Sequence, residues 1–182
     1  MTYFGTDGIR GRAGVGPLAP DSVLRIGRAL GAVLGARRPG RVLLGRDTRL
    51  SGPDIEADLT RGLLAQGLDV HRAGVITTPG AWVVCRDLGL DAAVVVSASH
   101  NPAEDNGIKI LLADGSKMDR QAEAEVEALL DAEGSPPPPP GGPGRSREAP
   151  DAGARYVEHL MQGAAAGLSL EGLRLVLDCA NG

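Results

Sequence analysis

Apolar positions along this chain follow two periods, and the alternation between them predicts the architecture. A spacing of three and four over Val23, Leu24, Ile26, Leu30, Val33 and Leu34 predicts a helix capped by Asp21 and stopped by Pro39-Gly40. Arg41–Gly45 (RVLLG) reads as a buried strand. Ser51 then caps a second helix through Leu64, which Gly67 ends. The theme repeats in strand Asp69–Ala73, helix Pro79–Leu88, strand Ala92–Val96 and strand Ile108–Leu112. Asp114-Gly115 is a turn signal, and Asp119 caps an acidic helix over Arg120–Glu133. Tyr156, Val157, Leu160 and Met161 mark one more amphipathic helix, and Leu173–Leu177 (LRLVL) reads as a final buried strand. A short extended start, Thr2–Phe4, and a glycine-rich stretch, Gly5–Gly16, precede all of these.

Strands alternating with helices predict an α/β fold, a mixed, mostly parallel sheet covered by helices on both faces. The Ser97–Gly107 segment is too short for a helical crossover, so the strands on either side of it form an antiparallel pair. Gly134–Pro150, with five consecutive prolines and then GGPG, is expected to be an extended, solvated loop.

Composition narrows the class of protein. A chain of 182 residues holds one ordinary α/β domain and little more. Hydrophobic residues are 42% but aromatics only 2%, so the core is built from Val, Leu, Ile and Ala. A net charge of −4 gives no electrostatic reason to expect a nucleic-acid partner. Of the 19 Lys and Arg residues only Lys109 and Lys117 are lysine, so a lysine that survives this bias is a candidate for a specific task. Cys85 and Cys179 are far apart and lack metal-ligand spacing, as expected of a reduced, cytoplasmic protein. No secretory leader and no apolar run of membrane-spanning length is read, so no membrane partner is expected.

The densest chemistry lies in Ser97-Ala-Ser-His-Asn-Pro102, followed by Asp105-Asn-Gly-Ile-Lys109. This polar loop leaves the C-terminal end of a strand, where ligands collect in open α/β sheets. It offers a hydroxyl, an imidazole, an amide and an ammonium, and Pro102 stiffens it. A serine hydrolase would need Gly-x-Ser-x-Gly, which neither Ser97 nor Ser99 has. His100 adjoins Ser99, and adjacent side chains of an extended chain point to opposite sides, which places it badly as a base. Gly8, Gly11, Gly14 and Gly16 follow no long strand and lack the dinucleotide spacing. Arg46, Asp47 and Arg49 follow a strand and read as a local Asp–Arg pair ordering that sheet edge before they read as substrate contacts. His71 and His159 read as structural or surface residues.

The SASHNP run resembles the phosphoserine loop of the α-D-phosphohexomutase superfamily, in which the serine before His-Asn-Pro carries a transferable phosphate. Phe4-Gly-Thr-Asp-Gly-Ile-Arg-Gly11 is similar to the opening signature of its phosphoglucosamine mutase branch, to which Ser97 also points. Gly45-Arg-Asp-Thr-Arg-Leu-Ser-Gly52 and Leu177-Asp-Cys-Ala-Asn-Gly182 match two further segments in the same order. The resemblance implies that Ser99 is the phosphoserine and that Arg10 and Lys109 stand beside it, with His100 and Asn101 orienting the loop or bonding the phosphate. A phosphate brings close to two negative charges, to which Arg10 offers a fork of N–H groups and Lys109 a point charge and possible proton shuttle.

It further implies a phosphorylated hexosamine substrate, a sugar bisphosphate primer, and Mg²⁺ held partly through the phosphate on Ser99. The acidic metal loop, the sugar-recognition loop and the C-terminal phosphate-binding loop of the family have no match in this sequence. The expected division is therefore one α/β domain over residues 1–166, with the Pro/Gly-rich loop at 134–150, and the opening of a second α/β domain at 167–182. A phosphomannomutase or phosphoglucomutase of the same superfamily, and a non-catalytic module binding a phosphosugar or a partner, are the other readings.

Overall fold

The computed structural model describes residues 3–37 and 40–178. The expectations for Thr2, Pro39, Cys179 and the Ala180-Asn181-Gly182 end lie outside the described residues. The strands are β1 (Phe4–Gly5), β2 (Gly8–Arg12), β3 (Arg41–Arg46), β4 (Asp69–Val75), β5 (Ala92–Val96), β6 (Asp105–Leu112) and β7 (Ser146–Glu148). The α-helices are α1 (Pro20–Arg37), α2 (Gly52–Ala65), α3 (Thr78–Asp87), α4 (Arg120–Asp131) and α5 (Ala152–Gln162). The strands form one sheet in the order β1-β2-β6-β5-β3-β4-β7. β5, β3, β4 and β7 run parallel, whereas β5–β6, β2–β6 and β1–β2 are antiparallel. The sheet is mixed as expected, and two of its antiparallel pairings involve β1, which overlaps the expected extended start at Phe4, and β2, within the glycine-rich stretch that carried no apolar period.

Side chains of the central strands alternate between two cores. Val42, Leu44, Val94 and Val96 join Val23, Ile26 and Leu30 of α1, Ile55, Leu59 and Leu63 of α2, and Val126 and Leu130 of α4. Leu43, Ala93 and Val95 face the other way, onto Ala81, Val84 and Cys85 of α3 and Ala152 of α5. This two-residue alternation under helices on both faces is what a sheet buried on both sides requires. α1 and α2 pack closely because glycines face each other: a Cβ on Gly62 would stand 2.7 Å from the Gly27 Cα and 2.6 Å from the Leu24 carbonyl oxygen.

Helix ends differ in detail from the pattern. Asp119 caps α4 by accepting from the Ala122 N–H at 2.7 Å, as expected. Asp21 lies in the first turn of α1 instead of preceding it. Ser51 precedes α2 without a side-chain cap, because its Oγ accepts from Asn106 Nδ2 at 2.9 Å. Thr77 caps α3.

Gly134–Pro150 is not wholly a solvated loop. Its end forms β7 beside β4, and Gly144 N–H donates to the Leu64 carbonyl at 2.8 Å. Pro136 and Pro139 are half-buried while Pro137, Pro138 and Pro140 are exposed, the three-residue period of polyproline laid along a surface. The expected buried strand Leu173–Leu177 is not formed: Val176 is 98% and Leu177 82% exposed. A strand of this composition needs a sheet beside it, and no strand among the described residues runs alongside.

Candidate active site

The Ser97–Glu104 segment leaves the C-terminal end of β5, next to the C-terminal end of β3, at the edge where open α/β sheets place their ligands. Ser97 N–H still donates to the Gly107 carbonyl, at 2.9 Å, so the loop starts from a rigid ladder. Asn101 N–H then closes a turn onto the Ala98 carbonyl at 3.2 Å. Ser99, the second residue of that turn, has φ +58° and is the sole non-glycine with positive φ among the described residues. Positive φ at the first central position alone is the type II′ pattern, in which glycine is the usual occupant. A serine there carries backbone strain of about 1–3 kcal/mol.

Ser97 is buried, and its Oγ accepts the Ser99 N–H at 3.0 Å, so it shapes the turn. Ser99 and His100 are exposed at its tip. Cys85, the buried thiol of α3, is pushed up to about 12 by burial and then by the nearby Asp91 charge, which removes it as a nucleophile.

Arg49 holds the loop from below. Its Nε donates to Asp47 Oδ2 at 3.1 Å, and its terminal nitrogens donate to the carbonyls of Ser99 (2.8 Å), Asn101 (2.9 Å), Asp105 (3.0 Å) and Pro102. The Asp47–Arg49 pair matches the local reading of that segment. The reach of Arg49 into a loop 50 residues away does not follow from it, because nothing in the spacing shows that β3 and β5 are neighbours.

The expected cations gather around one carboxylate. Arg10 lies on β2 opposite Gly107 of β6. One of its terminal nitrogens donates to Asn101 Oδ1 at 3.3 Å and the other to Asp7 Oδ2 at 3.0 Å. Lys109 Nζ lies 3.5 Å from the same oxygen. Lys117 Nζ stands 2.6 Å from Asp7 Oδ1, so both lysines of the chain reach this carboxylate, although Lys117 lies outside the loop motif. These partners, the Lys117 hydrogen bond first, hold the Asp7 carboxyl below the usual carboxylate range. The turn that brings Asp7 here needs Gly8, with φ +92° and an ideal Cβ position 2.3 Å from the Ile108 carbonyl oxygen. Asn101 completes the link, its Nδ2 donating to Asp105 Oδ2 at 2.9 Å. His100 extends from the tip without a protein partner among the described residues.

Three cationic side chains gather against one carboxylate, and Arg10 ties that cluster through Asn101 to the loop that carries the exposed, strained Ser99, an arrangement with the donors to receive an anionic group. The site does not by itself suit a divalent metal. Asp7 is spent on cations, Asp105 on Asn101, and no group of three His, Cys, Asp or Glu side chains gathers among the described residues.

Residues 1–136 match the sequence model of the family described as phosphoglucomutase/phosphomannomutase, alpha/beta/alpha domain I. Phosphoglucosamine mutase of Burkholderia thailandensis is 49% identical over 188 residues, covering 99% of this chain and 41% of that protein. Its counterpart in Burkholderia mallei is 48% identical over the same span. The chain thus spans about two fifths of the length of these relatives, 41% in both. Among solved structures, a phosphoglucomutase/phosphomannomutase family protein from Burkholderia thailandensis superposes with a TM-score of 0.74 at 30% identity, over 89% of this chain and 35% of that one. A putative phosphomannomutase from Thermus thermophilus gives 0.73 at 27% identity, over 92% and 36%. With residues 1–136 matched, the chain belongs to the phosphoglucomutase/phosphomannomutase family and carries that family's α/β/α domain I.

Proposed function

We propose that the chain is the phosphoserine-bearing part of a phosphoglucosamine mutase, which interconverts glucosamine 6-phosphate and glucosamine 1-phosphate. The observation that carries this is Ser99, exposed on a strained turn whose Asn101 is tied to Arg10 in the cation cluster, in a chain 49% identical to a phosphoglucosamine mutase over 99% of its length. In the forward step the free sugar hydroxyl oxygen attacks the phosphorus on Ser99. The P–Oγ bond breaks as the new P–O bond forms, and the hydroxyl proton passes to the neutral amine of Lys109, our choice of base, which then returns it to the departing Ser99 Oγ. The resulting sugar bisphosphate reorients. Ser99 Oγ then attacks its other phosphorus, recovers a phosphoryl group and releases the isomerised monophosphate.

Arg10 orients the phosphate through its fork of donors, and Asn101 fixes both Arg10 and the loop. His100 stands at the solvent side, where a bound phosphosugar would meet it. A sugar bisphosphate primes the unphosphorylated serine. Mg²⁺ is the metal we assign to the intact enzyme, with a phosphate oxygen on Ser99 as one ligand and the rest from outside these residues. No helix among the described residues is long and apolar enough to cross a membrane, and we place the enzyme in the cytoplasm. We assign residues 1–166 to the first domain and 167–182 to the opening of the next.

Phosphopeptide mass spectrometry on the intact protein tests the serine. Phosphate on Ser97 and none on Ser99 after priming would sink the assignment. A coupled assay offering glucosamine 6-phosphate, glucose 6-phosphate and mannose 6-phosphate tests the sugar, with the amino sugar expected to be turned over fastest.

A further inference from the structure

A guanidinium has five N–H donors, and Arg49 spends all five inside the site. One goes to Asp47, and four go to carbonyls of the serine loop, at Ser99, Asn101, Pro102 and Asp105. The side chain is 11% exposed and is anchored from behind, since Asp47 N–H donates to the Val96 carbonyl at the end of β5, at 3.0 Å. Arg49 therefore belongs to the rigid sheet edge, and the loop is what it shapes.

The peptide geometry gives this grip a direction. In a trans peptide the C=O and the N–H point in opposite directions, and the described residues contain no cis peptide. With the Ser99 carbonyl drawn onto Arg49, the N–H of the same peptide, that of His100, faces away from the arginine. That N–H makes no backbone hydrogen bond among the described residues. The turn is also one that serine does not choose for itself, because its first central position favours glycine.

We propose that Arg49 is a positioning residue for phosphoryl transfer: it imposes the strained turn at Ser99 and thereby presents the His100 backbone N–H as a donor to the phosphate on Ser99 Oγ. Arg49 neither gains nor loses a bond in the step. The inference rests on the mutase reading of Ser99. Lysine could not do the same, because its compact ammonium lacks the planar fork that spans four carbonyls.

The experiment compares the intact enzyme with Arg49→Ala, Arg49→Lys and, as a control on the exposed face of α2, Arg61→Ala. It measures kcat and KM for glucosamine 6-phosphate, the rate of Ser99 phosphorylation by glucosamine bisphosphate, and the melting temperature. We expect kcat to fall roughly a hundredfold in both Arg49 variants, as for a reacting group displaced by about 1 Å, with KM little changed. Guanidinium ion below denaturing concentration should restore part of the loss in Arg49→Ala, and Arg61→Ala should behave as the parent. Wild-type kcat in Arg49→Lys, or a loss in Arg49→Ala that guanidinium leaves untouched, overturns the proposal. If Arg49→Ala does not fold, Arg49→Lys decides: lost turnover at an unchanged melting temperature supports the proposal. An inactive parent enzyme would instead sink the mutase reading on which the proposal stands.

Discussion

In the proposed mechanism Ser99 is the hydroxyl that carries phosphate and Lys109 the amine that moves a proton. The Lys109 side chain is 14% exposed and 3.5 Å from Asp7, so its charge is held close to the loop. Lys109→Arg keeps that charge but loses an amine that can deprotonate. Turnover of the intact enzyme should fall by about a hundredfold or more with little change in melting temperature, and near-normal activity would exclude proton transfer through this residue. Lys117 stands closer to Asp7 than Lys109 does, at 2.6 Å, which gives the second lysine a part in the cluster that its position outside the motif did not indicate.

Asp7 carries a pH dependence whose sign follows from its partners. Its carboxyl is depressed below 3.8 in the fold, so its ion pairs contribute full stability above that value and lose it as pH falls through the lowered pKa. Asp7→Asn should flatten the acid limb of a urea-midpoint profile below about pH 4. An unchanged acid limb would show that the cluster adds nothing to the fold.

At the scale of elements, the α1–α2 contact and the β7 edge show how packing completes what local pattern begins. Gly62→Ala places a methyl where the Gly27 Cα and Leu24 carbonyl already stand, 2.7 and 2.6 Å from the new Cβ. Overpacking of this kind costs about 1–3 kcal/mol, to be read from the urea midpoint, and a neutral result would mean that the helices can slide apart without loss. The apolar periods placed α1–α5 and β3–β6 to within a few residues, since each buries a definite face. They missed β1, β2 and β7, whose sequences FG, GIRGR and SRE carry almost no apolar signal. These strands exist through pairing with a neighbour, and β7 lies at the edge, where exposed residues suffice.

At the scale of the whole molecule, both cores close within the described residues, so the 182-residue chain should fold cooperatively by itself. It should nonetheless show no mutase activity above a Ser99→Ala control in a coupled assay with Mg²⁺ and bisphosphate primer. Phosphoryl transfer relies on electrostatic stabilisation in a closed site, whereas here Ser99 is exposed and the described residues gather no metal-binding cluster. Metal-dependent turnover would show that the site is complete as it stands. Leu173, Leu175, Val176 and Leu177 remain exposed because a strand's apolar pattern can be satisfied only by neighbours, which the described residues do not provide.

The sequence alone determined the alternation of strands and helices, the two-sided burial of the central sheet, and the SASHNP loop as the densest run of polar, reactive side chains. Each of these is a local property, carried by the period of apolar residues or by a short run of unusual side chains. Tertiary structure alone decided that Arg49 grips the loop, that Asp7 collects Arg10, Lys109 and Lys117, and that Ser99 is held at φ +58°. Those contacts depend on the strand order β1-β2-β6-β5-β3-β4-β7, which sets β2 against β6 and β3 against β5. A hydrophobic period records which side of a strand is buried, but it carries no information about which strand lies beside it.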